Sequence, residues 1–437
     1  MTDLQALLPS VGAGSALAIL KARTAAAVEP RAAEIVEDIR RRGDPAVFHW
    51  ARELDGFEGS CFEVDRDRID AAPSTIAPEL RKALEDMASR VCRFAGFQRG
   101  VLGDLSVEMD GILLGHRAIP VSTAACYAPG GRHPLPSSVI MSAVTARAAG
   151  VENVYVFGPS MRPEILAAIC IAGADRAFEV GGAQGIAAAS WGLAGLPRAD
   201  MVAGPGNRFV DSAKRLVWGS TGVDLPAGPS ELLVIASDDA DPGLVALDLL
   251  AQAEHDVDAF PALVCFSQGF AESVRSRIRE ELSGDPGSVA AVSLARGLTT
   301  EVDDDSMAVE IADAMSPEHL ELAGRRSEAL ADRLRNYGSL FIGQRSAEVF
   351  GDYGSGANHI LPTGGAARFT GGLWVGSFLR IATWQQVGEG GSPGIAAQAA
   401  TIAAAEGLRR HADSAAARKA CAPPGAAQEV SAAPGQT

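Results

Sequence analysis

Two side chains that can bind a metal ion lie three residues apart in the stretch AQAEHD, residues 251–256. Gln252 offers an amide oxygen and His255 an imidazole nitrogen, at the end of a segment that is predicted to be an apolar helix. Because residues i and i+3 share a helix face, both side chains can point at one atom. A carboxylate from Asp352 and an imidazole from another segment would complete a mixed nitrogen and oxygen set, which suits Zn²⁺ or a similar divalent ion.

A second pair of chemically active residues, Glu318 and His319, occurs in the stretch SPEHLEL, residues 316–322. The preceding proline predicts the start of a helix, where two adjacent side chains can reach into the same cleft. The pair would then supply a water-activating carboxylate beside a proton acceptor. The spacing is also compatible with a glutamate that interacts with the helix dipole and a histidine on the surface.

Three glycine-rich turns follow predicted strands: YAPGGRHPLPSS (127–138), VGGAQG (180–185) and AGPGNRF (203–209). The backbone N–H groups of such turns can bind a phosphate. Turns between strands and helices need glycine in any case, so the pattern alone is weak. Neither GxGxxG nor GxxxxGK[ST] occurs, which excludes a standard dinucleotide fingerprint and a P-loop.

The elements that must position these residues alternate between strands and helices. Between residues 118 and 260, short β-branched runs end in glycine and lead into alanine-rich helical segments, as in NVYVFGPS followed by RPEILAAICIAGA. This alternation predicts an α/β protein with βαβ units and a parallel, doubly wound sheet. The ligand is then expected at the carboxyl ends of the strands, where the glycines occur. A helical stretch is predicted from Ser392 and Pro393 to about Lys419.

Length, composition and charge narrow the class of protein. A chain of 437 residues with 47% hydrophobic and 21% charged residues predicts two or more globular domains. The formal net charge of −16 argues against nucleic acid or an anionic membrane as a partner, because both would be repelled. Six scattered cysteines without CxxC are expected to be reduced. With neither a signal peptide nor a membrane-spanning run, a cytoplasmic protein is expected.

The chain resembles the histidinol dehydrogenase family from about residue 30 to residue 418. Eight motifs carry the resemblance, in the family's order and at similar separations. Any one of them is unspecific, but the eight together are highly specific. They are YAPGG, VGGAQGIAA, GPGNRFV, DLPAGPSELLVI, LLAQAEHD, PEHLEL, GDYGSGANHILPTGG and AEGLRRH.

The resemblance implies a zinc-dependent, NAD-linked dehydrogenase that oxidises an alcohol through a retained aldehyde to a carboxylate. Each subunit would bind one zinc ion, and an intertwined homodimer would share its active sites. The matching positions are Gln252, His255, Asp352 and, from the partner subunit, His411 as metal ligands; Glu318 and His319 as the catalytic pair; Tyr127, Gln184 and Asn207 as cofactor contacts; and Ser230 and Glu406 as substrate contacts, together with His319 and the metal ligands.

The fold that the resemblance implies consists of two incomplete Rossmann-like, doubly wound domains with small helical terminal segments. The expected divisions are an N-terminal arm (1–22), a first α/β domain (23–126 with 231–373), a second α/β domain on the cofactor side (127–230), a C-terminal helical segment that reaches the partner subunit (374–420) and a disordered tail (421–437). Glu406 and His411 lie roughly 140° apart on an ideal helix. They can both act at one site only if Gly407 loosens the helix, or if one of them contacts the bound ion and the other contacts the groups around it.

Some positions depart from the family pattern and leave the substrate open. Ser142 and Thr145 stand where biosynthetic members commonly have Asn-x-x-Pro, and the GGLWVG stretch with Trp374 is similar to a branch that oxidises other polar alcohols. L-Histidinol is the first expected substrate, and 2,3-dihydroxypropane-1-sulfonate, which would give sulfolactate, is the alternative. A zinc hydrolase in which Glu318 activates water, and an inactive metal-binding paralogue, are the remaining alternatives.

Overall fold

The computed structural model describes residues 4–23, 27–130, 134–388 and 393–418. The tail predicted at 421–437 lies outside these residues. The helices are α1 Ala13–Ala22, α2 Pro30–Arg42, α3 Asp44–Asp55, α4 Arg66–Ala71, α5 Pro78–Gly100, α6 Pro136–Val139, α7 Thr145–Ala149, α8 Pro163–Ala172, α9 Gly182–Trp191, α10 Arg208–Val217, α11 Pro242–Ala253, α12 Gln268–Glu281, α13 Val289–Leu294, α14 Asp305–Met315, α15 Arg325–Glu328, α16 Glu348–Tyr353, α17 Pro393–Ala405 and α18 Arg409–Arg418.

The strands are β1 Leu105–Met109, β2 Ile112–Pro120, β3 Thr123–Tyr127, β4 Asn153–Gly158, β5 Arg176–Glu179, β6 Met201–Ala203, β7 Gly222–Val223, β8 Glu231–Ala236, β9 Phe260–Cys265, β10 Leu298–Glu301, β11 His319–Ala323, β12 Ser339–Ile342 and β13 Leu379–Val387. The chain divides into two compact units. Unit 1 comprises Met1–Arg99 and Pro120–Phe378, and unit 2 comprises Gly100–Ile119 and Leu379–Thr437.

Unit 1 contains two five-stranded parallel sheets of the same topology. Their strand orders are β5-β4-β3-β6-β7 and β10-β9-β8-β11-β12, and every pairing within them is parallel. Each order begins at a central strand, extends to one side and then switches to the other, as in half of a Rossmann fold. The predicted α/β fold with two incomplete doubly wound sheets is therefore confirmed.

Apolar runs without alternation form the central strands. Every residue of β8, ELLVIA, and of β9, FPALVC, is buried. Helices cover both faces of a parallel sheet, so its inner strands need apolar side chains on both faces. Val234, on β8, belongs to the core formed with α11, α12 and α13, whereas the neighbouring Leu233 faces the core formed with α1 and α14.

Unit 2 is smaller and contains a three-stranded sheet of order β1-β2-β13 and two helices. The single helical stretch predicted from residue 392 to about 419 is wrong, because the chain forms α17 and α18 with a break between them. Gly407 adopts a left-handed φ of 76°, and the Leu408 N–H donates to the Ala403 carbonyl at 2.8 Å. This is how a glycine ends a helix.

Among the described residues, no helix combines the length and the apolar character that crossing a lipid bilayer requires.

The domain boundaries stay a prediction.

Candidate active site

The catalytic pair predicted from the sequence lies at the amino end of one strand, β11, beside the amino end of the adjacent strand β8. Glu318 directly precedes β11, His319 begins it, and His319 pairs in register with Leu232 of β8. The predicted helix start at Pro317 is therefore wrong. The Glu318 carbonyl accepts the Ser339 N–H at 2.9 Å, so pairing with the next strand begins at once. Long-range strand pairing outweighs the local helix signal of the proline.

The expectation that the site lies at the carboxyl ends of the strands needs correction. The glycine turns do follow the carboxyl ends of β3, β5 and β6. Glu318 and His319 instead lie at the amino edge of the other sheet. The two sheets thus present different strand ends. One sheet presents its carboxyl ends, with the glycine turns, and the other its amino ends, with the catalytic pair.

Glu318 is a buried carboxyl group held by two donors. The Ser230 hydroxyl donates to Glu318 Oε2 at 2.5 Å, and the Glu231 N–H donates to the same oxygen at 2.9 Å. Burial raises the pKa of Glu318 well above its usual range, although both hydrogen bonds oppose the shift. A carboxyl group with a raised pKa takes up a proton more readily than an exposed one, which suits acid–base catalysis.

His319 is oriented so that one ring nitrogen remains available. Its Nδ1 lies 3.2 Å from the Glu231 carbonyl oxygen, which can only accept, so Nδ1 carries the proton. Nε2 is buried and has no hydrogen-bond partner among the described residues. Burial lowers the pKa of His319 to about 4. The imidazole is then neutral at pH 7, with the Nε2 lone pair ready to accept a proton.

Gln252 lies in the last turn of α11, as the spacing predicted, whereas His255 lies two residues beyond the end of the helix. The helix ends at Ala253, and the His255 N–H reaches back to the Gln252 carbonyl at 3.4 Å. Gln252 is fully buried, and neither atom of its amide has a hydrogen-bond partner within the described ranges. A buried amide without partners is costly, so these atoms fit a site that a bound ion or substrate completes.

His255 meets two carboxylates of α16. One ligand atom from each of His255, Glu348 and Asp352 lies within 4.8 Å of the other two. Asp352 Oδ1 is also 3.9 Å from His319 Nε2. Burial and the nearby Asp352 raise the pKa of Glu348 well above its usual range. A divalent cation would relieve this crowding of carboxylates, and a mixed nitrogen and oxygen donor set fits zinc.

Three residues of the site were not assigned from the sequence. Glu348 stands four residues before Asp352, and this spacing on a helix was the signal that could have identified it. Its Oε1 lies 3.4 Å from His319 Nδ1. The Nδ1 of His359 bonds to the Asp352 carbonyl at 2.9 Å, and His359 belongs to the motif GDYGSGANHILPTGG. Glu231, which contacts both catalytic residues, left no sequence signal beyond its place after Ser230.

A connecting segment, DLPAGPSE (residues 224–231), runs from the third glycine turn to the catalytic pair. At one end Asp224 accepts the Gly204 N–H at 2.8 Å, in the third glycine turn. At the other end Ser230 bonds to Glu318. Eight residues span at most about 28 Å. The third glycine turn and the catalytic pair are thus joined by a short stretch of chain.

The predicted cofactor residues lie at the glycine turns. The hydroxyl of the buried Tyr127 accepts the Gly182 N–H at 3.3 Å. The Gln184 amide nitrogen donates to Asp55 at 2.9 Å, whereas its buried oxygen has no partner among the described residues. Asn207 is exposed and caps α10 by accepting the N–H groups of Phe209 and Val210. The three thus shape the ends of the turns.

Glu406 and His411 belong to unit 2, where both are exposed. They line one surface cavity of about 640 Å³, together with residues of α17 and α18 such as Ile402 and Ser414. The left-handed turn at Gly407 permits this, because a continuous helix would separate the two side chains. The backbone therefore breaks the helix at Gly407, which is one of the two arrangements expected for this pair.

The sequence matches known proteins over most of its length. The histidinol dehydrogenase family profile matches residues 20–419. A histidinol dehydrogenase of Cupriavidus pinatubonensis is 39% identical over 401 residues, which cover 89% of this chain and 90% of the relative. One from Ralstonia nicotianae is 40% identical, with 89% and 91% covered.

A solved structure gives the same result. The crystal structure of histidinol dehydrogenase from Elizabethkingia anophelis superimposes with a TM-score of 0.86 at 31% identity. The match covers 92% of this chain and 95% of the other. The chain belongs to the histidinol dehydrogenase family, whose members are NAD-dependent oxidoreductases.

Proposed function

We propose that this protein oxidises L-histidinol through an aldehyde to L-histidine in two NAD-linked steps, with one zinc ion per active site. The observation that carries the proposal is the meeting of a possible base, His319 Nε2, with the cluster of His255, Glu348 and Asp352. A cytoplasmic location is part of the proposal, and the described cysteines are all free thiols, as it requires.

In the first oxidation, His319 acts as the base. A carbinol carbon can release hydride only as its hydroxyl loses a proton, so a neutral imidazole must lie beside that hydroxyl. The Nδ1 contact with the Glu231 carbonyl keeps the Nε2 lone pair directed to the side of Asp352. NAD would supply the hydride acceptor.

In the second oxidation, Glu318 prepares a water molecule. An aldehyde has no hydroxyl to lose, so it must first be hydrated, and a carboxylate next to the substrate can remove a proton from the attacking water. Ser230 and the Glu231 N–H hold Glu318 Oε2 in place for this step. The proton that His319 took up in the first oxidation returns to the aldehyde oxygen as water adds, so the neutral imidazole can accept the proton of the hydrate as the second hydride leaves.

Gln252, His255 and Asp352 would hold the zinc ion, which would fix the position of the polar substrate beside the base. The unpartnered amide of Gln252 supports this assignment. Orientation of this kind can account for several kcal/mol of a reaction barrier. In this chain the donors come from α11 and α16, which contact each other.

The fourth ligand, His411, and the substrate contact, Glu406, would come from the partner subunit of a homodimer. Both side chains are exposed and lie on one cavity of unit 2, so they are accessible to a second copy of the chain. Tyr127, Gln184 and Asn207 would form the cofactor end of the site, at the carboxyl ends of their strands.

The test is NADH formation, followed by absorbance, with purified protein, NAD and a panel of alcohols. The panel contains L-histidinol, 2,3-dihydroxypropane-1-sulfonate and other small hydroxylated sulfonates and acids. Two NADH molecules per L-histidinol support the proposal. Turnover of an ester or amide without NAD would instead identify the hydrolase, and zinc binding without any turnover would identify an inactive paralogue.

2,3-Dihydroxypropane-1-sulfonate is the second candidate substrate. The GGLWVG stretch with Trp374 favours it, and Ser142 and Thr145 depart from the Asn-x-x-Pro of biosynthetic members. In the structure both hydroxyls donate to carbonyls one turn earlier, those of Ser138 and Met141, at 2.7 Å. A preference for the sulfonate in the panel would decide between the two substrates.

A further inference from the structure

The backbone of one residue, Glu231, touches both members of the catalytic pair. The Glu231 N–H donates to Glu318 Oε2 at 2.9 Å, and the Glu231 carbonyl faces His319 Nδ1 at 3.2 Å. The first contact sets the place of the carboxylate, and the second sets which imidazole nitrogen carries the proton. A small displacement at the start of β8 would therefore disturb both groups together.

The side chain of Glu231 is itself buried and bound. Only 2% of the residue is exposed. Its Oε1 accepts a hydrogen bond from Arg23 Nη2 at 2.7 Å and one from the Gly364 N–H at 3.2 Å. A buried carboxylate is stable only when it is paired, so the guanidinium of Arg23 is the charge that permits this arrangement.

Arg23 is held in turn by the neighbouring strand. Its guanidinium lies 3.7 Å from the centroid of the Phe260 ring, and Phe260 pairs in register with Glu231. The Phe260 N–H also donates to the Ser230 carbonyl at 2.9 Å. Arg23 follows α1 directly, so the ion pair joins the end of this helix to the residues that hold the catalytic pair.

We propose that Arg23 and Glu231 are positioning residues for the reaction, and that their ion pair keeps the backbone N–H and carbonyl of Glu231 where they orient Glu318 and His319. The inference rests on the proposed function. Without the cation, the buried carboxylate either takes up a proton or moves toward solvent. Either change shifts the first residues of β8, and misplacement of a catalytic group by about 1 Å can cost about 100-fold in rate.

The test uses the zinc-loaded protein and the variants Arg23→Met, Arg23→Lys and Glu231→Gln. Arg23→Met should lower kcat at least about tenfold, with zinc content retained and KM for NAD within about twofold. Arg23→Lys, which keeps the charge, should recover most of the loss. Lys21→Met is the control, because Lys21 lies on the same helix in an exposed ion pair with Glu310, and it should behave like the unmodified protein.

A double-mutant cycle isolates the pair. Glutamine at 231 keeps an acceptor for Arg23 but carries no charge, so Arg23→Met should cost much less in the Glu231→Gln background. Equal cost in both backgrounds would overturn the proposal, as would unmodified turnover by Arg23→Met or failure of lysine to rescue it. If Arg23→Met does not fold, the lysine variant and the glutamine variant still decide the matter.

A second readout needs no turnover. In protein labelled with ¹⁵N-histidine, the ring shifts of His319, assigned with the variant His319→Ala, report which nitrogen carries the proton. The Nδ1-protonated form is expected, and Arg23→Met should give a mixture. Unchanged shifts in that variant would argue against positioning. If no alcohol is oxidised by the unmodified protein, the proposed function fails, but this measurement still tests the role of Arg23.

Discussion

At the scale of single residues, burial decides what each group of the site can do. His319 and Glu318 are neighbours in the chain and both are buried, yet burial moves their pKa values in opposite directions, down for the imidazole and up for the carboxyl. Burial disfavours the charged form in each case. The result is an imidazole that is neutral at pH 7 beside a carboxyl group that binds a proton more readily than usual.

The first prediction concerns the metal. Gln252→Ala and His255→Ala should each lower zinc content and activity together, because each removes a donor from the same site. Zinc per subunit, measured by atomic emission after dialysis, and NADH formation are the two readouts. The exposed His49 offers a control, since His49→Ala should change neither. Full activity in a metal-free variant would contradict the assignment.

The second prediction separates the two oxidations. His319→Ala should keep its zinc and lose the oxidation of alcohol, with kcat reduced about 100-fold or more, since general-base catalysis contributes about that much. Glu318→Gln should slow mainly the oxidation of the aldehyde, because the amide cannot take a proton from water. Single-turnover measurements that start from alcohol or from aldehyde distinguish the steps. Variants indistinguishable from the original protein would show that the roles are assigned wrongly.

At the scale of elements, a buried acid of β11 and a half-buried acid of α11 form a second pair. Glu321 of β11 is almost fully buried and is hydrogen-bonded to Asp248 of α11. Burial, together with Asp248, raises the pKa of Glu321 to about 9. The two carboxyl groups therefore share a proton at neutral pH, because two adjacent buried charges would repel each other.

The third prediction follows from the sign of this shift. The folded protein keeps the Glu321 proton up to about pH 9, whereas the unfolded chain loses it near its ordinary pKa. The stability due to this proton is complete at acid pH and is lost as pH rises toward 9. Glu321→Gln does not titrate and still donates to Asp248, so it should be more stable than the original protein at pH 8, by about 2 to 4 kcal/mol.

Urea unfolding of metal-free protein at pH 5 and pH 8 measures the difference. The gain should shrink at pH 5, where the unfolded chain also begins to hold the proton. Glu301→Gln, at the exposed end of β10, is the matched control and should give no gain at either pH. A variant that is less stable than the original at pH 8 would refute the shared proton.

At the scale of the whole molecule, the proposed ligands are divided between the two compact units. Gln252, His255 and Asp352 belong to unit 1, and His411 belongs to unit 2. If His411 completes the site of a second subunit, each active site of a homodimer contains residues from both chains. Activity then depends on assembly and not on the fold of one chain alone.

The fourth prediction tests this division. His255→Ala and His411→Ala should each be inactive as homodimers. A heterodimer of the two combines both lesions in one site and leaves the other site intact. The purified heterodimer should therefore have roughly half of the original activity, and a randomly paired mixture, in which half of the dimers are heterodimers, roughly a quarter. Co-expression with two affinity tags and assay of the purified heterodimer is the measurement, and no recovery in that heterodimer would mean that each chain completes its own site.

Residue types and local periodicity alone determined the parallel α/β class and the chemically active stretches AQAEHD and SPEHLEL. Apolar runs such as ELLVIA can be buried only between two layers of helices, so they report the sheet without further information. The domain boundaries and the residue roles remain predictions.

Tertiary structure alone decided three further features: that Glu318 and His319 begin a strand, that they lie at its amino edge, and that Glu348 joins His255 and Asp352. The physical reason is the range of the interactions. Helix and strand periodicity is set by neighbours in the chain, whereas strand pairing and the meeting of α11 with α16 depend on residues about a hundred positions apart.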